Sequence, residues 1–229
     1  MRQYQLFGKT SKQAPADASA ISHQYLVRGG FIDQLMSGVY SFLPLGLRVH
    51  QKIENIIREE MNAAGGQEIL LPALSPKNLW EETGRWTTID PPLFKFKDRH
   101  DKELALGPTH EEVITDLVRR RVQSYKALPF ALYQIQGKFR NELRSTGGLL
   151  RVREFVMKDL YSFHESEEDL EKYFEKMIKV YEKVFNRCGI KPIITKASGG
   201  SIGGSTTYEF QVPTKVGEDI VYLNKATGK

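Results

Sequence analysis

Residues 130–144, FALYQIQGKFRNELR, and residues 149–163, LLRVREFVMKDLYSF, flank the tetrapeptide STGG. Alternation with a period of two marks a strand, and two such runs around a short glycine-bearing connection predict a long antiparallel hairpin. Everything else in the chain has to be arranged around that pair. In an extended chain the side chains alternate between faces, so Arg140, Glu142 and Arg144 share one face before the turn. Arg151, Arg153 and Phe155 share one after it.

The neighbouring segments supply helices and short strands. A helical pattern runs from Asp17 to Leu35, interrupted by Gly29 and Gly30 and ending near Gly38. RVHQKIENIIREEMNAAGG places Val49, Ile53, Ile56, Ile57 and Met61 at helical spacing, with Gly65 as the C-terminal cap. QEILLPAL reads as a strand closed by Pro72, which removes a ladder donor and belongs at an edge, a strand end or an interface. Ser75 and Pro76 occupy favoured starting positions for the short helix SPKNLWEETG. LFKFKD and ELALG predict a hairpin around RHD, and PTHEEVITDLVRRRV a helix. The longest helix, SEEDLEKYFEKMIKVYEKVFNRCG, has Ser166 as N-cap and stops at Gly189. IKPIITKA and TYEFQV are strands around the glycine loop SGGSIGG. The sum is an α+β fold, an antiparallel sheet flanked by helices, in a single domain over residues 1–229.

Composition narrows the function classes. A net charge of +5 and a pI near 9.1 are compatible with a polyanionic partner and equally with a solvated basic surface. The single cysteine, Cys188, excludes an internal disulfide framework and suits a reducing compartment, which makes the expected location cytoplasmic. No Cys or His spacing fits a zinc site, so no protein metal ligand is expected. No apolar run has signal-peptide or membrane-spanning length, so no membrane association is expected.

Three constellations carry possible chemistry. On the hairpin, an arginine fork binds phosphate or carboxylate bidentately, an adjacent carboxylate accepts from an amine, and an aromatic ring offers a stacking face. Together these make a nucleotide cradle; the plainer alternative is an exposed sheet face stitched by Arg–Glu pairs. In GPTHEEV, Thr109 and Glu112 have the spacing of a capping box, which leaves Glu111 over. Thr109 and Glu111 together would instead hold a small ammonium group. SGGSIGGST lacks the Gly-Lys-Ser/Thr ending of a phosphate loop. Arg119, Arg120 and Arg121 complement a helix dipole at least as well as they would contact RNA.

Taken in order, these segments resemble the catalytic domain of the bacterial-type prolyl-tRNA synthetases, a family of class II aminoacyl-tRNA synthetases, over essentially all 229 residues. GGQEILLPAL is similar to class II motif 1, with Pro72 at the usual dimer-interface proline. GPTHEE is similar to the family's Thr-x-Glu loop, and FRNE…RVREF to motif 2. ADASAISHQYLVRGGFI and SIGGSTTYEFQV match the segments before and after.

The resemblance implies a proline–tRNA ligase that activates L-proline with ATP and Mg²⁺ and transfers the prolyl group to tRNA(Pro). It implies that Arg140 bridges the ATP α-phosphate and the proline carboxylate, so that it serves both catalysis and binding. Glu142 is expected to face the adenine amine, and Phe155 to stack under the adenine. Arg151 and Arg153 are expected on the phosphate side of the ATP site, with either one pointing in. Thr109 and Glu111 are expected to receive the secondary amine of proline. The helix RVHQKIENIIREEM and the strand after it resemble the dimer-forming part of such enzymes, so a homodimer is expected. Motif 3, the editing insertion and the anticodon-binding domain are not found in these 229 residues, which reads as the N-terminal portion of a synthetase. Two other readings are a regulatory paralogue that binds proline or ATP without ligase activity, and a plain RNA-binding module.

Overall fold

A computed structural model of the chain describes residues 2–16, 18–199 and 206–223. Helix α1 spans Ile21–Arg28 and stops at Gly29, whose N–H donates to the Tyr25 carbonyl at 2.8 Å. The chain then doubles back as a hairpin, β1 Ile32–Met36 and β2 Val39–Phe42, with Gly38 at φ +75° in its turn. The helix expected to continue to Leu35 therefore ends seven residues early, because Gly30 takes a left-handed φ of +69° that a helix does not admit. Asp17, its expected first residue, lies outside the described residues.

Helix α2, Pro44–Ala63, starts with a proline in its first turn and is closed by Gly65 at φ +90°. The strand expected over residues 67–74 is split into β3, Gly66–Glu68, and β4, Leu74–Pro76. Side chains replace strand partners in the gap. The Leu71 N–H donates to Gln134 Oε1 at 3.0 Å, and the Leu71 carbonyl accepts from the Gln136 amide. Ser75 does not cap α3, Lys77–Glu82. Its hydroxyl is buried, accepting from Trp80 Nε1 at 2.8 Å and donating to the Ala105 carbonyl at 3.3 Å, so it serves the core instead.

The remaining elements are α4 Arg85–Thr88, β5 Phe94–Lys97, β6 Glu103–Leu106, α5 Glu111–Arg121, β7 Phe130–Phe139, β8 Glu154–Phe163, α6 Glu167–Arg187, β9 Ile193–Ala197 and β10 Thr207–Gln211. Ser166 caps α6 by accepting from the Asp169 N–H at 3.2 Å. β5 and β6 form the antiparallel hairpin that the sequence predicts, and the two predicted strands β9 and β10 pair antiparallel; residues 200–205 of the intervening glycine loop lie outside the described residues.

β7 and β8 pair without a break from Phe130↔Phe163 to Phe139↔Glu154. β3 joins the other edge of β7 in parallel, so the central sheet is antiparallel with one parallel pair. The long connection between β3 and β7 makes that direction possible, since parallel neighbours need a crossover.

The register decides what each face does. Tyr133 and Ile135 of β7 and Leu160 of β8 face α2 and α6, and pack with Met61, Ala64, Met177 and Val184 into the main core. Across the top of that core, Glu60 of α2 meets Lys183 at 2.8 Å and Arg187 at 2.6 Å from α6. A smaller core under α3 and α4 is built from Trp80, Trp86, Ile89, Leu93 and Ala105. The opposite face of β7 and β8 carries Gln134, Gln136 and Lys138 beside Phe155, Asp159 and Tyr161. Helices thus cover one face of the ribbon and leave the other for a polar site. No helix among the described residues is long and apolar enough to cross a membrane.

Candidate active site

The alternation that suggested strands through Arg144 and from Leu149 does not hold. β7 ends at Phe139 and β8 begins at Glu154, and residues 140–153 form a loop closed by a bridge between Thr146 and Arg151. Gly147 and Gly148, at φ +67° and +68°, make its tip, and a Cβ on Gly148 would stand 2.7 Å from the Cβ of His23. The turn of the β1–β2 hairpin supports the loop from outside: the Arg153 N–H donates to the Gly38 carbonyl at 2.8 Å, and the Ser37 and Ser145 hydroxyls are 2.6 Å apart.

This scaffold sorts the arginines. The Arg140 guanidinium lies over the Phe155 ring, 5.2 Å from its centroid, and forms no ion pair among the described residues. Arg151 is paired on both sides, its Nε with Glu142 at 3.0 Å and its Nη1 with Glu218 at 2.9 Å. Those carboxylates push its pKa up, Glu142 first. Arg153 donates from Nε to the Glu142 carbonyl at 3.0 Å, so it braces the loop. A cavity of about 340 Å³ opens between the loop, β8 and the β1–β2 hairpin, lined by Arg140, Glu142, Arg151 and Phe155 on one side and Tyr40 and His50 on the other. That volume falls in the range of small-molecule sites. Arg153 does not line it. Arg144 is not part of the cavity lining either. Tyr40 comes from β2, and the alternation in VYSF after Gly38 is the sequence signal for that wall; His50 comes from α2, where a lone histidine reads as a core or solvent-facing residue.

Further along the same face, Gly107 is fastened to the end of β7, its carbonyl accepting from the Phe139 N–H at 3.1 Å, and the loop from Gly107 leads into α5. The Thr109–Glu112 capping box does not form. His110 occupies the N-cap position but its side chain does not cap the helix, Thr109 Oγ1 donates to Glu111 Oε1 at 2.7 Å, and Glu112 is drawn away to Arg85 at 2.8 Å and Thr83 at 3.1 Å. A half-buried guanidinium outcompetes a main-chain N–H for that buried carboxylate. Arg85 also reaches Glu111 Oε2 at 3.5 Å, so both Glu111 oxygens have a donor while the side chain stays about one-third exposed.

Beneath this loop the polar face is tightly wired. Lys138, fully buried, lies 2.8 Å from Asp159 Oδ1 and 2.7 Å from His110 Nδ1. Asp159 Oδ2 accepts from the Tyr161 hydroxyl at 2.7 Å and the Gln134 amide at 2.9 Å. Burial pulls the Lys138 pKa down against the opposing pull of Asp159. Burial, then the negative charges of Glu111 and Asp159, pushes the Tyr161 hydroxyl well above its ordinary value. None of Lys138, Asp159 or Tyr161 was singled out from the sequence.

Other sequence candidates fall outside the site. Arg119 pairs with Glu82 at 2.7 Å and with Asp116 at 3.0 Å, and Arg120 with Asp116 at 2.9 Å, which makes them ordinary helix-surface cations. Pro72 is exposed between β3 and β4, with Leu70 and Leu74 exposed on either side of it. Among the described residues no group of three or more His, Cys, Asp or Glu side chains could hold a metal ion.

Comparison with known proteins bears on the fold and the family. The family model for the tRNA synthetase class II core domain (G, H, P, S and T) matches residues 94–222. The chain is 55% identical over 99% of its length to a proline–tRNA ligase of Geobacillus sp. (strain WCH70), and 50% identical over 100% of its length to one of Thermotoga maritima. It spans 40% of the length of each of these relatives. A solved Giardia lamblia prolyl-tRNA synthetase in complex with prolyl-adenylate superposes with a TM-score of 0.68 at 25% identity, over 72% of this chain and 35% of that one. A long antiparallel ribbon, one face packed on helices and the other leading to an arginine over an aromatic ring, thus coincides with a family match over more than half of the chain: this protein belongs to the class II tRNA synthetase core-domain family.

Proposed function

We propose that the chain is the catalytic portion of a proline–tRNA ligase, which joins proline to ATP as prolyl-adenylate and then passes the prolyl group to tRNA(Pro). The observation that carries this is the Arg140 guanidinium, stacked on Phe155 and without a counter-ion among the described residues, in the cavity wall next to Phe139, whose N–H holds Gly107 at the start of the Thr109–Glu111 loop. The proline–tRNA ligase relatives support the choice of amino acid.

In this reading Phe155 stacks under the adenine and Glu142, held by Arg151, accepts from the adenine amine. Arg151 faces the phosphates from the cavity wall, and Arg153 keeps the loop in place. Thr109 and Glu111 accept the two N–H groups of the proline ammonium. Arg140 then spans the two anions that otherwise repel, the proline carboxylate and the α-phosphate. The carboxylate oxygen attacks phosphorus in line, the bond from phosphorus to the bridging oxygen breaks, and pyrophosphate leaves with the electron pair. No general base is needed, because the attacking carboxylate is already ionised. Alignment of two bound reactants accounts for about 7 to 11 kcal/mol of the barrier. Mg²⁺ is part of the nucleotide substrate in this scheme, carried on the phosphates as is usual where few carboxylates are offered.

The exposed row of Leu70, Pro72 and Leu74 suits a homodimer contact, and free Cys188 suits the reducing cytoplasm. Proline-dependent exchange of labelled pyrophosphate into ATP tests the reading, with alanine and threonine as control substrates. A folded chain that binds neither proline nor ATP would refute it.

A further inference from the structure

His110 lies between Thr109 and Glu111 in the loop that starts α5. His110 is completely buried, and three groups hold it. Its main-chain N–H donates to the Tyr161 hydroxyl at 3.0 Å, its Nε2 lies 3.1 Å from the Pro72 carbonyl oxygen, and its Nδ1 lies 2.7 Å from Lys138 Nζ. A carbonyl oxygen only accepts and an ammonium only donates. The ring satisfies both when it carries its proton on Nε2 and none on Nδ1, which is one tautomer of the neutral form.

The charged and titratable groups around the ring all bear on that state. Lys138 faces it from β7, Asp159 and Tyr161 from β8, and Glu111 from α5; the backbone of Gly107 closes the remaining edge, where an added Cβ would stand 3.0 Å from His110 Cε1. Burial first and the Lys138 charge second pull the His110 pKa below its ordinary value, in agreement with the contacts.

We propose that Lys138 and His110 form a positioning pair for the amine-accepting loop: Lys138 fixes His110 as the Nε2–H tautomer, and the ring so fixed, tied to the Pro72 carbonyl and through its own backbone to Tyr161, sets Thr109 and Glu111 for a secondary ammonium. The inference rests on the reading of Thr109 and Glu111 as the amine acceptors. Neither member of the pair touches the ligand; both act through the loop.

The test combines ¹⁵N NMR of the histidine rings with separate titrations of proline and of a non-hydrolysable ATP analogue. In the wild-type chain, with the His110 signals assigned by their loss in H110Q, the ring is expected to remain Nε2–H as the pH falls below 6.5, the ordinary imidazole value. In K138M the ring is expected to lose its single tautomer and proline to bind about tenfold more weakly, with the ATP analogue nearly unaffected. A folded K138M that keeps the tautomer and the proline affinity, or that weakens both ligands equally, overturns the inference. K138M leaves Asp159 buried without its cation, so H110Q and H110A provide a second arm. Gln retains a donor near the Pro72 carbonyl, and H110Q is expected to hold proline about tenfold better than H110A; equal losses overturn the inference. A wild-type ring that is Nδ1–H or mixed, in a chain that binds proline, refutes this pair alone. A wild-type chain with the Nε2–H ring that takes up no proline refutes the ligase reading beneath it.

Discussion

The Arg140 guanidinium carbon stands 5.2 Å from the centre of the Phe155 ring, and no carboxylate among the described residues pairs with it. A cation–π contact at a partly exposed position is worth about 0.5 to 1 kcal/mol. Arg140→Ala is therefore expected to leave the melting temperature within a few degrees of wild type while lowering proline-dependent exchange by at least ~100-fold, the scale for removing one preorganised charge from a reacting centre. An Arg140→Ala chain that unfolds would mean that the arginine is a structural element of the loop.

Glu111 and Glu112 are adjacent and their substitutions separate cleanly. Glu111 is partly exposed and bonded to Thr109, so Glu111→Gln is expected to weaken proline while sparing ATP. Glu112 is almost fully buried against Arg85, and breaking a buried pair costs about 3 kcal/mol or more. Glu112→Gln is thus expected to show in thermal unfolding first. Equal losses of proline and ATP affinity in Glu111→Gln would contradict the assignment.

That contrast also marks where sequence reasoning succeeded and where it ran out. The helices α2 and α6 and the strands β7 and β8 were legible because their periodicities are long and their caps local. The loop at residues 140–153 was not, because the apolar–polar alternation continues through it; Leu143, which alternation would bury, is 90% exposed. In the β1–β2 hairpin, Gln34, Leu35 and Met36 are good helix formers, and tertiary pairing overrode them. The capping box failed because Arg85, twenty-seven residues away, outbid the local backbone for Glu112. Lys138 carried no local signal at all: a lysine in a strand reads as exposed, and the partners that bury it, His110 and Asp159, lie 28 and 21 residues away in the chain. Arg140, Glu142, Arg151, Phe155, Thr109 and Glu111 were legible as ordered motifs, though not as a geometry.

Stability should depend on pH in two stages, both in the same direction. The folded pKa of His110 is lowered from 6.5, so between its folded value and 6.5 the unfolded chain binds a proton that the folded chain does not. Stability is complete above 6.5 and falls as the pH drops, by at most about 1.4 kcal/mol per pH unit for one group. Glu60, lowered from 4.5 chiefly by its bond to Lys183 and then by Arg187, adds a second loss below 4.5. Urea unfolding measured from pH 8 to pH 4 checks this; in His110→Gln the upper stage is expected to disappear, and its persistence would assign the proton elsewhere.

Leu70 and Leu74 flank Pro72 with 76% and 51% of their surfaces exposed. If this row is a contact between two copies, sedimentation equilibrium of the chain shows a dimer and Leu70→Asp shifts it towards monomer without lowering the melting temperature. A wild-type chain that stays monomeric up to high micromolar concentration would argue against that contact.

The central claim is that this polar face brings proline and ATP together for adenylate formation, and proline-dependent pyrophosphate exchange by the chain tests it most directly. The account predicts label entering ATP with proline, at much lower rates with alanine and threonine, and at least ~100-fold more slowly in Arg140→Ala. A folded chain that binds both ligands and gives no proline-dependent exchange would contradict it.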